Sequence, residues 1–200
     1  MGNLKTIIIV AVLAFVGYNY FIGGDSNRPE SADLGQVLDR TVFALEKYDT
    51  HLKENKVTEA GDAQFKELTG FMGNVMNQEP RFHEAPIGVQ LRNDATFEGF
   101  ADRNGNKVKD SDEAEVFTVE IDSEKKRLIA TDTAGGASDV GFSGGGFLAG
   151  ALIGGLLARQ LAGGVKPGAF NDRKTTPRNA YKSPASARTR ARSGGLGKGK

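Results

Sequence analysis

The spacing of apolar residues changes along the chain from a helical period to an alternating one. From Leu34 to Leu52, apolar side chains recur every three or four residues, which predicts an amphipathic helix that reaches Asn55 and has Ser31 as its N-cap. Over about residues 58–77, Phe, Leu, Met and Val side chains again fall on one helical face. The two patterns together predict a helical hairpin.

After Pro80 and Pro86 the period becomes two, which is typical of strands. Four short antiparallel strands are predicted: one around Val89 and Leu91, and three more over residues 96–101, 116–122 and 126–131. Helices followed by strands indicate an α+β fold. A region of this length can bury one small core, so residues 25–139 are predicted to form a single α+β domain.

An uncharged, apolar stretch precedes this domain. Residues 6–24 carry no charge and, at about 1.5 Å per residue, are long enough to cross the roughly 30 Å hydrocarbon layer of a membrane. They predict a transmembrane anchor within residues 1–24. A cleaved signal peptide is the alternative, although no small-x-small cleavage motif lies near Gly23.

A second apolar stretch follows the domain, within residues 140–162, and contains GGGFLAGALIGGLLA. Small residues recur at every fourth position: Gly146, Gly150, Gly154, Ala158 and Ala162. On a helix these residues form a stripe that resembles a glycine zipper, which implies close packing against a second copy of the chain or a membrane-protein partner. A second transmembrane helix is predicted. A close-packed helix outside the bilayer and a flexible linker are the alternatives.

The net charge of +1 conceals a strong asymmetry. Residues 25–139 hold 24 acidic and 14 basic side chains, a net charge of −10, whereas residues 159–200 hold 11 basic side chains and Asp172 alone, a net charge of +10. Because basic segments are retained in the cytoplasm, this asymmetry predicts a two-span protein of the inner membrane with both termini inside. The acidic domain would then be periplasmic.

The basic tail, residues 163–200, is rich in Gly, Ala, Ser, Pro and Arg and is predicted to be disordered. Arg188, Arg190 and Arg192 form a cluster that could attract anionic lipid. Nucleic acid is a less favoured partner, because the tail has few aromatic side chains to stack on bases.

The most specific chemical pattern is DRNGNKVKDSDE, at residues 102–113. It resembles the twelve-residue EF-hand loop, and also the Asp- and Asn-rich calcium loops of extracellular β-domains. The resemblance implies a calcium site with these ligands: Asp102, Asn104, Asn106, the Val108 carbonyl, Asp110 and Glu113. Lys107 occupies the sixth position, where the pattern asks for glycine.

Two alternatives to this assignment remain open. If the glycine is treated as deleted, Asp112 closes the loop in place of Glu113. If no ion binds, the segment is a polar turn between strands, since Asp, Asn and Gly are common turn residues. The strand pattern that follows the loop favours a β-connection over the helix-flanked EF-hand.

No catalytic pattern accompanies the loop. The chain has no cysteine, and His51 and His83 lack the spacing of a zinc-protease helix. The sequence therefore predicts a non-enzymatic integral membrane protein that self-associates or recruits a partner through its Gly-striped helix. The alternatives are a calcium-responsive sensor or binding module, and a membrane tether that binds nucleic acid or anionic lipid through its tail.

Overall fold

Two helices open the part of the chain that the structure, a computed structural model, describes, namely residues 31–141 and 150–184. The first, α1, spans Leu34–Glu54, and the second, α2, spans Asp62–Met76. The cap of α1 is Asp33 rather than the predicted Ser31, since the Asp33 side chain accepts a hydrogen bond from the Gln36 backbone N–H. The predicted helical hairpin is present.

Within the described residues, the strands form one six-stranded sheet in the order β1-β2-β3-β4-β5-β6. Their bounds are β1 Ile87–Leu91, β2 Phe97–Ala101, β3 Glu115–Asp122, β4 Arg127–Asp132, β5 Ala137–Gly141 and β6 Thr176–Pro177. The first five pair antiparallel as a meander, and β6 joins β5 in parallel. The α+β class is as predicted. The last two strands were missed, because β5 runs into a predicted membrane segment and β6 lies in a predicted disordered tail.

The helices cover one face of the sheet, and the core lies between the two layers. Helix α1 contacts β4 and β5, while α2 contacts β1. The inward side chains of β3, Phe117, Val119 and Ile121, alternate with outward ones, as a strand buried on one face requires. Gly99 in β2 has no Cβ because the Phe117 ring occupies that space, at 2.3 Å from where the atom would be.

The second predicted transmembrane helix is wrong. Its first two residues end β5, and its C-terminal part forms α3, Ala151–Ala162, a helix of 12 residues. At about 1.5 Å per residue α3 is roughly 18 Å long, which is too short for the hydrocarbon layer. Leu152, Ile153 and Leu156 are fully buried in the core instead. The apolar pattern therefore reflects burial against protein, which was the alternative of a close-packed helix.

Within residues 31–141 and 150–184, no helix has both the length and the apolar character needed to cross a bilayer. This finding overturns the predicted two-span integral membrane protein and, with it, the inner-membrane location with a periplasmic domain. The first predicted span, within residues 1–24, lies outside the described residues.

The predicted disorder of the tail is wrong for residues 163–184, which form turns and β6 along the domain. The basic tail and the acidic domain bind each other directly. Arg173 pairs with Glu120 at 2.8 Å, and Arg178 pairs with Asp39 at 2.5 Å. Contact within one domain therefore accounts for part of the charge asymmetry. No membrane needs to separate the acidic residues from the basic tail.

Candidate functional site

The 102–113 loop connects β2 to β3 at one end of the sheet. Its first residue, Asp102, continues the edge pairing, because its backbone N–H donates to the Pro86 carbonyl at 2.8 Å. The strand that follows begins at Glu115, so strands flank the loop on both sides. The loop is a β-connection, as its downstream pattern predicted.

Side-chain oxygens of the loop accept hydrogen bonds from its backbone and hold it in a turn. Asn104 Oδ1 accepts from the Asn106 N–H at 3.0 Å, and Asn106 Oδ1 accepts from the Val108 N–H at 2.7 Å. Asp102 Oδ2 accepts from the Lys107 N–H at 3.1 Å. Lys107 has a φ of 61°, so the left-handed bend that a glycine normally makes at this position is made by a lysine. Each of these bonds follows from the alternating Asp and Asn residues of the motif.

The predicted carboxylate ligands have different surroundings. Glu113 is 6% exposed, and its two oxygens accept from the Arg103 and Asp110 N–H groups at 2.9 and 3.1 Å. Asp112, the alternative closing residue, is exposed. Asp102 is 3% exposed, and its Oδ1 is buried without a hydrogen-bond partner.

Amide donors fill the centre of the loop. Asn104 Nδ2 and Asn106 Nδ2 both donate to Asp110 Oδ2, at 2.7 and 2.9 Å. In the described part of the chain, no three His, Cys, Asp or Glu side chains are grouped as metal ligands. The structure thus brings the loop backbone into a turn. Asp110 and Glu113 accept from protein donors, whereas Asp102 does so through Oδ2 alone.

A second polar cluster, which sequence reasoning missed, lies beside the loop and is centred on Glu98. This side chain is 2% exposed and accepts from Arg92 at 2.8 Å, from Gln90 at 2.9 Å and from Lys109. Burial would raise the pKa of Glu98, but the Arg92, Lys109 and Gln90 donors outweigh burial and lower it to about 2. Lys109 belongs to the loop, so the Glu98 cluster ties the loop to β2.

The signal for this cluster was present in the pattern of strand positions. Gln90 and Glu98 are directly opposite each other in the β1-β2 register. On the outward face of a sheet such a cross-strand polar pair is common. The contact of Lys109 with Glu98 joins the loop to β2, and the strand pattern does not reveal it.

The small-residue stripe does not serve as the internal packing face of α3. Gly154, Ala158 and Ala162 are exposed, and a Cβ added at Gly154 would meet no atom within 4 Å. The close approach is instead at Gly155, where a Cβ would lie 2.5 Å from the Ala60 carbonyl oxygen. Contact of the stripe with a second chain stays a prediction.

The remaining predicted positions fall elsewhere. Gly150 lies against α1, where an added Cβ would be 2.3 Å from an Asp49 carboxylate oxygen. Gly146 lies outside the described residues, as does the predicted lipid-binding cluster. That cluster consists of Arg188, Arg190 and Arg192.

Comparison with known proteins gives no family for this chain. No protein-family model matches it, no curated protein is significantly similar, and no solved structure matches its fold.

Proposed function

We propose that this chain is a non-catalytic binding domain whose 102–113 loop takes up a calcium ion. The observation that carries the proposal is the Asp102 carboxylate, which is 3% exposed and has an oxygen without a hydrogen-bond partner. Leaving a charged oxygen buried and unpaired costs several kcal/mol unless a cation or donor meets it. A hard cation at the loop centre would satisfy this oxygen.

The backbone turn that such an ion needs is already made. Asn104 Oδ1 and Asn106 Oδ1 each accept one backbone hydrogen bond, and each amide oxygen has a second lone pair available for coordination. The Val108 carbonyl and the carboxylates of Asp110 and Glu113 complete the predicted oxygen set.

Binding has a cost that sets its strength. The ion must displace the two amide donors from Asp110 Oδ2 and turn Glu113 away from the backbone N–H groups it now accepts from. Each such hydrogen bond contributes on the order of 1 kcal/mol. We therefore expect a dissociation constant on the order of 10⁻⁴–10⁻³ M, in the range of extracellular calcium modules.

The non-catalytic part of the proposal is supported by the chemistry of the two histidines. His51 is exposed and lies 3.3 Å from the Asn55 amide, while His83 Nδ1 lies 3.0 Å from the Ala85 carbonyl oxygen. His51 also lies 3.9 Å from a Glu67 carboxylate oxygen, and none of these three contacts joins a histidine to a serine, threonine or cysteine. The chain also has no cysteine.

The test is thermal and urea unfolding of the full chain in EDTA, in 10 mM CaCl₂ and in 10 mM MgCl₂. At the expected affinity, calcium should add about 1–3 kcal/mol to the free energy of unfolding, since stabilisation follows RT ln(1 + [L]/Kd). Magnesium should add less, because its rigid octahedral geometry fits a flexible loop poorly. Calorimetric titration checks the same binding directly.

Matched variants locate the ion. Asp102→Asn with Glu113→Gln should abolish the calcium effect, whereas Asp112→Asn, an exposed neighbour of the same charge, should retain it. Identical unfolding of the wild type with and without calcium, together with no heat of binding, would refute the proposal.

A further inference from the structure

The 102–113 loop contains the only Asn-Gly pair in the sequence, Asn104 and Gly105. Both residues are exposed to solvent. The backbone nitrogen of a residue that follows asparagine is held next to the asparagine amide carbon, and a bond between the two closes a five-membered ring. Three groups determine whether this ring forms: the attacking nitrogen, the amide carbonyl and the amide nitrogen that leaves.

The attacking nitrogen belongs to Gly105 and is unobstructed. Among the described residues, the Gly105 N–H donates a hydrogen bond to no acceptor. Gly105 has no side chain, and a Cβ added there would meet no atom within 4 Å, so the space around this residue is open. Loss of the proton from this nitrogen therefore breaks no hydrogen bond within the described part of the chain.

The Asn104 amide is already polarised by a backbone donor. Its Oδ1 accepts from the Asn106 N–H at 3.0 Å. Negative charge develops on this oxygen when the amide carbon is attacked, and a donor that already points at the oxygen stabilises that charge. The leaving nitrogen, Asn104 Nδ2, donates to Asp110 Oδ2 at 2.7 Å. This second bond is lost when ammonia leaves, so it slows the reaction without preventing it.

The second asparagine of the loop, Asn106, provides an internal contrast. Its amide has matching contacts, because Oδ1 accepts from the Val108 N–H at 2.7 Å and Nδ2 donates to Asp110 at 2.9 Å. The nitrogen that would attack it belongs to Lys107, which carries a side chain and donates to Asp102 Oδ2 at 3.1 Å. Attack on Asn106 would break this hydrogen bond, whereas attack on Asn104 breaks none at the attacking nitrogen.

We propose that Asn104 is a site of spontaneous deamidation, which converts a neutral amide of the loop into a carboxylate. The Gly105 nitrogen forms a bond to Asn104 Cγ, the Cγ–Nδ2 bond breaks, and ammonia leaves with the proton that the Gly105 nitrogen has lost. Water then opens the cyclic imide at either carbonyl, which gives aspartate, or isoaspartate with one more carbon in the backbone. Overall, an amide and water become a carboxylate and ammonium, and the loop gains one negative charge.

The added charge lies at the third position of the loop, and its effect on calcium rests on the proposed binding function. In the aspartate form, a carboxylate oxygen replaces the Nδ2 donor that lies 2.7 Å from Asp110 Oδ2. The two carboxylates repel each other in the ion-free loop, whereas calcium gains a further charged ligand. We expect the dissociation constant for calcium to fall about tenfold in this form. Isoaspartate lengthens the backbone between the ligands and should weaken binding.

The test is incubation of the full chain in mildly alkaline buffer with EDTA, followed by mass spectrometry of its peptides. Asn104 should gain the mass difference between a hydroxyl and an amino group, about tenfold faster than Asn106. The rate should rise with pH, because the nucleophile is the deprotonated nitrogen. Asn104→Gln should stop the change at this position, since glutamine would have to close a six-membered ring. Equal rates at Asn104 and Asn106, or an unchanged Asn104 after prolonged incubation, would overturn the proposal.

Calcium titration separates the modification from the proposed binding function. Asn104→Asp supplies the aspartate form alone, and it should melt at a lower temperature than wild type in EDTA and bind calcium about tenfold more tightly. Ser111→Asp, which adds the same charge at an exposed position outside the ligand set, should change the affinity much less. Equal affinity of Asn104→Asp and wild type would overturn the effect on calcium. Conversion at Asn104 in a chain that binds no calcium would support the modification site and refute only the proposed binding function.

Discussion

Two neighbouring polar clusters each contain a buried carboxylate, but the groups that contact the two carboxylates differ. Glu98 is 2% exposed, and its oxygens meet the cations Arg92 and Lys109. Asp102 is 3% exposed, yet its Oδ2 meets a backbone N–H and its Oδ1 meets no donor. The Glu98 cluster is neutralised within the chain, whereas one buried oxygen of Asp102 is left without a hydrogen-bond partner.

The largest difference should appear when each carboxylate is removed. Glu98→Ala leaves Arg92 and Lys109 without their shared buried partner, and we expect a loss of about 2–3 kcal/mol in the free energy of unfolding. Asp102→Asn, measured in EDTA, should cost less than about 1 kcal/mol, because it removes a buried charge that has no cation. Urea unfolding measures both. A larger loss for Asp102→Asn than for Glu98→Ala would show that the Asp102 carboxylate is the better stabilised of the two.

The dependence of stability on pH should also distinguish the two clusters. The pKa of Glu98 is lowered to about 2 from a usual value of 4.5, so its stabilisation is present above about pH 4.5 and is lost as the pH falls towards 2. Glu98→Gln should flatten stability over this window by about 2 kcal/mol. The free energy of unfolding, measured from pH 2 to 7 in wild type and variant, checks this. An unchanged pH profile in the variant would contradict the role of Glu98.

The smallest expected effect concerns the bend at Lys107, whose φ is 61°. Lys107→Gly removes the steric cost of a Cβ in the left-handed region and should stabilise the chain by about 1 kcal/mol in EDTA. It should also tighten calcium binding, since a positive side chain next to the site is lost. Gly105, at φ 73°, offers the matched control: Gly105→Ala should destabilise by a similar amount. Thermal unfolding and calorimetry measure both variants.

Local features were predictable because neighbouring residues determine them. The three- and four-residue spacing from Leu34 to Leu52 gave the position of α1, and the Asp and Asn alternation after Asp102 gave a turn with the expected side-chain to backbone bonds. Even the strand character of residues 115–122 followed from the period of two. Calcium at the loop stays a prediction.

The error at α3 has a physical cause. Leu152, Ile153 and Leu156 would be equally apolar against lipid or against protein, so composition alone does not identify the surroundings that bury them. The two-span prediction, which used the charge asymmetry, was wrong for a similar reason. A net charge along the chain does not reveal whether Arg173 and Arg178 lie far from the acidic residues or in contact with them.

Features with local causes follow from the amino-acid pattern alone: the helix periods, the strand alternation and the loop turn, each set by residues within about a dozen positions. Which surfaces meet depends on tertiary packing. The Glu98 cluster and the contact of the tail with α1 each depend on packing between separate elements. These arrangements arise from the sum of many contacts between distant segments, which no short pattern records.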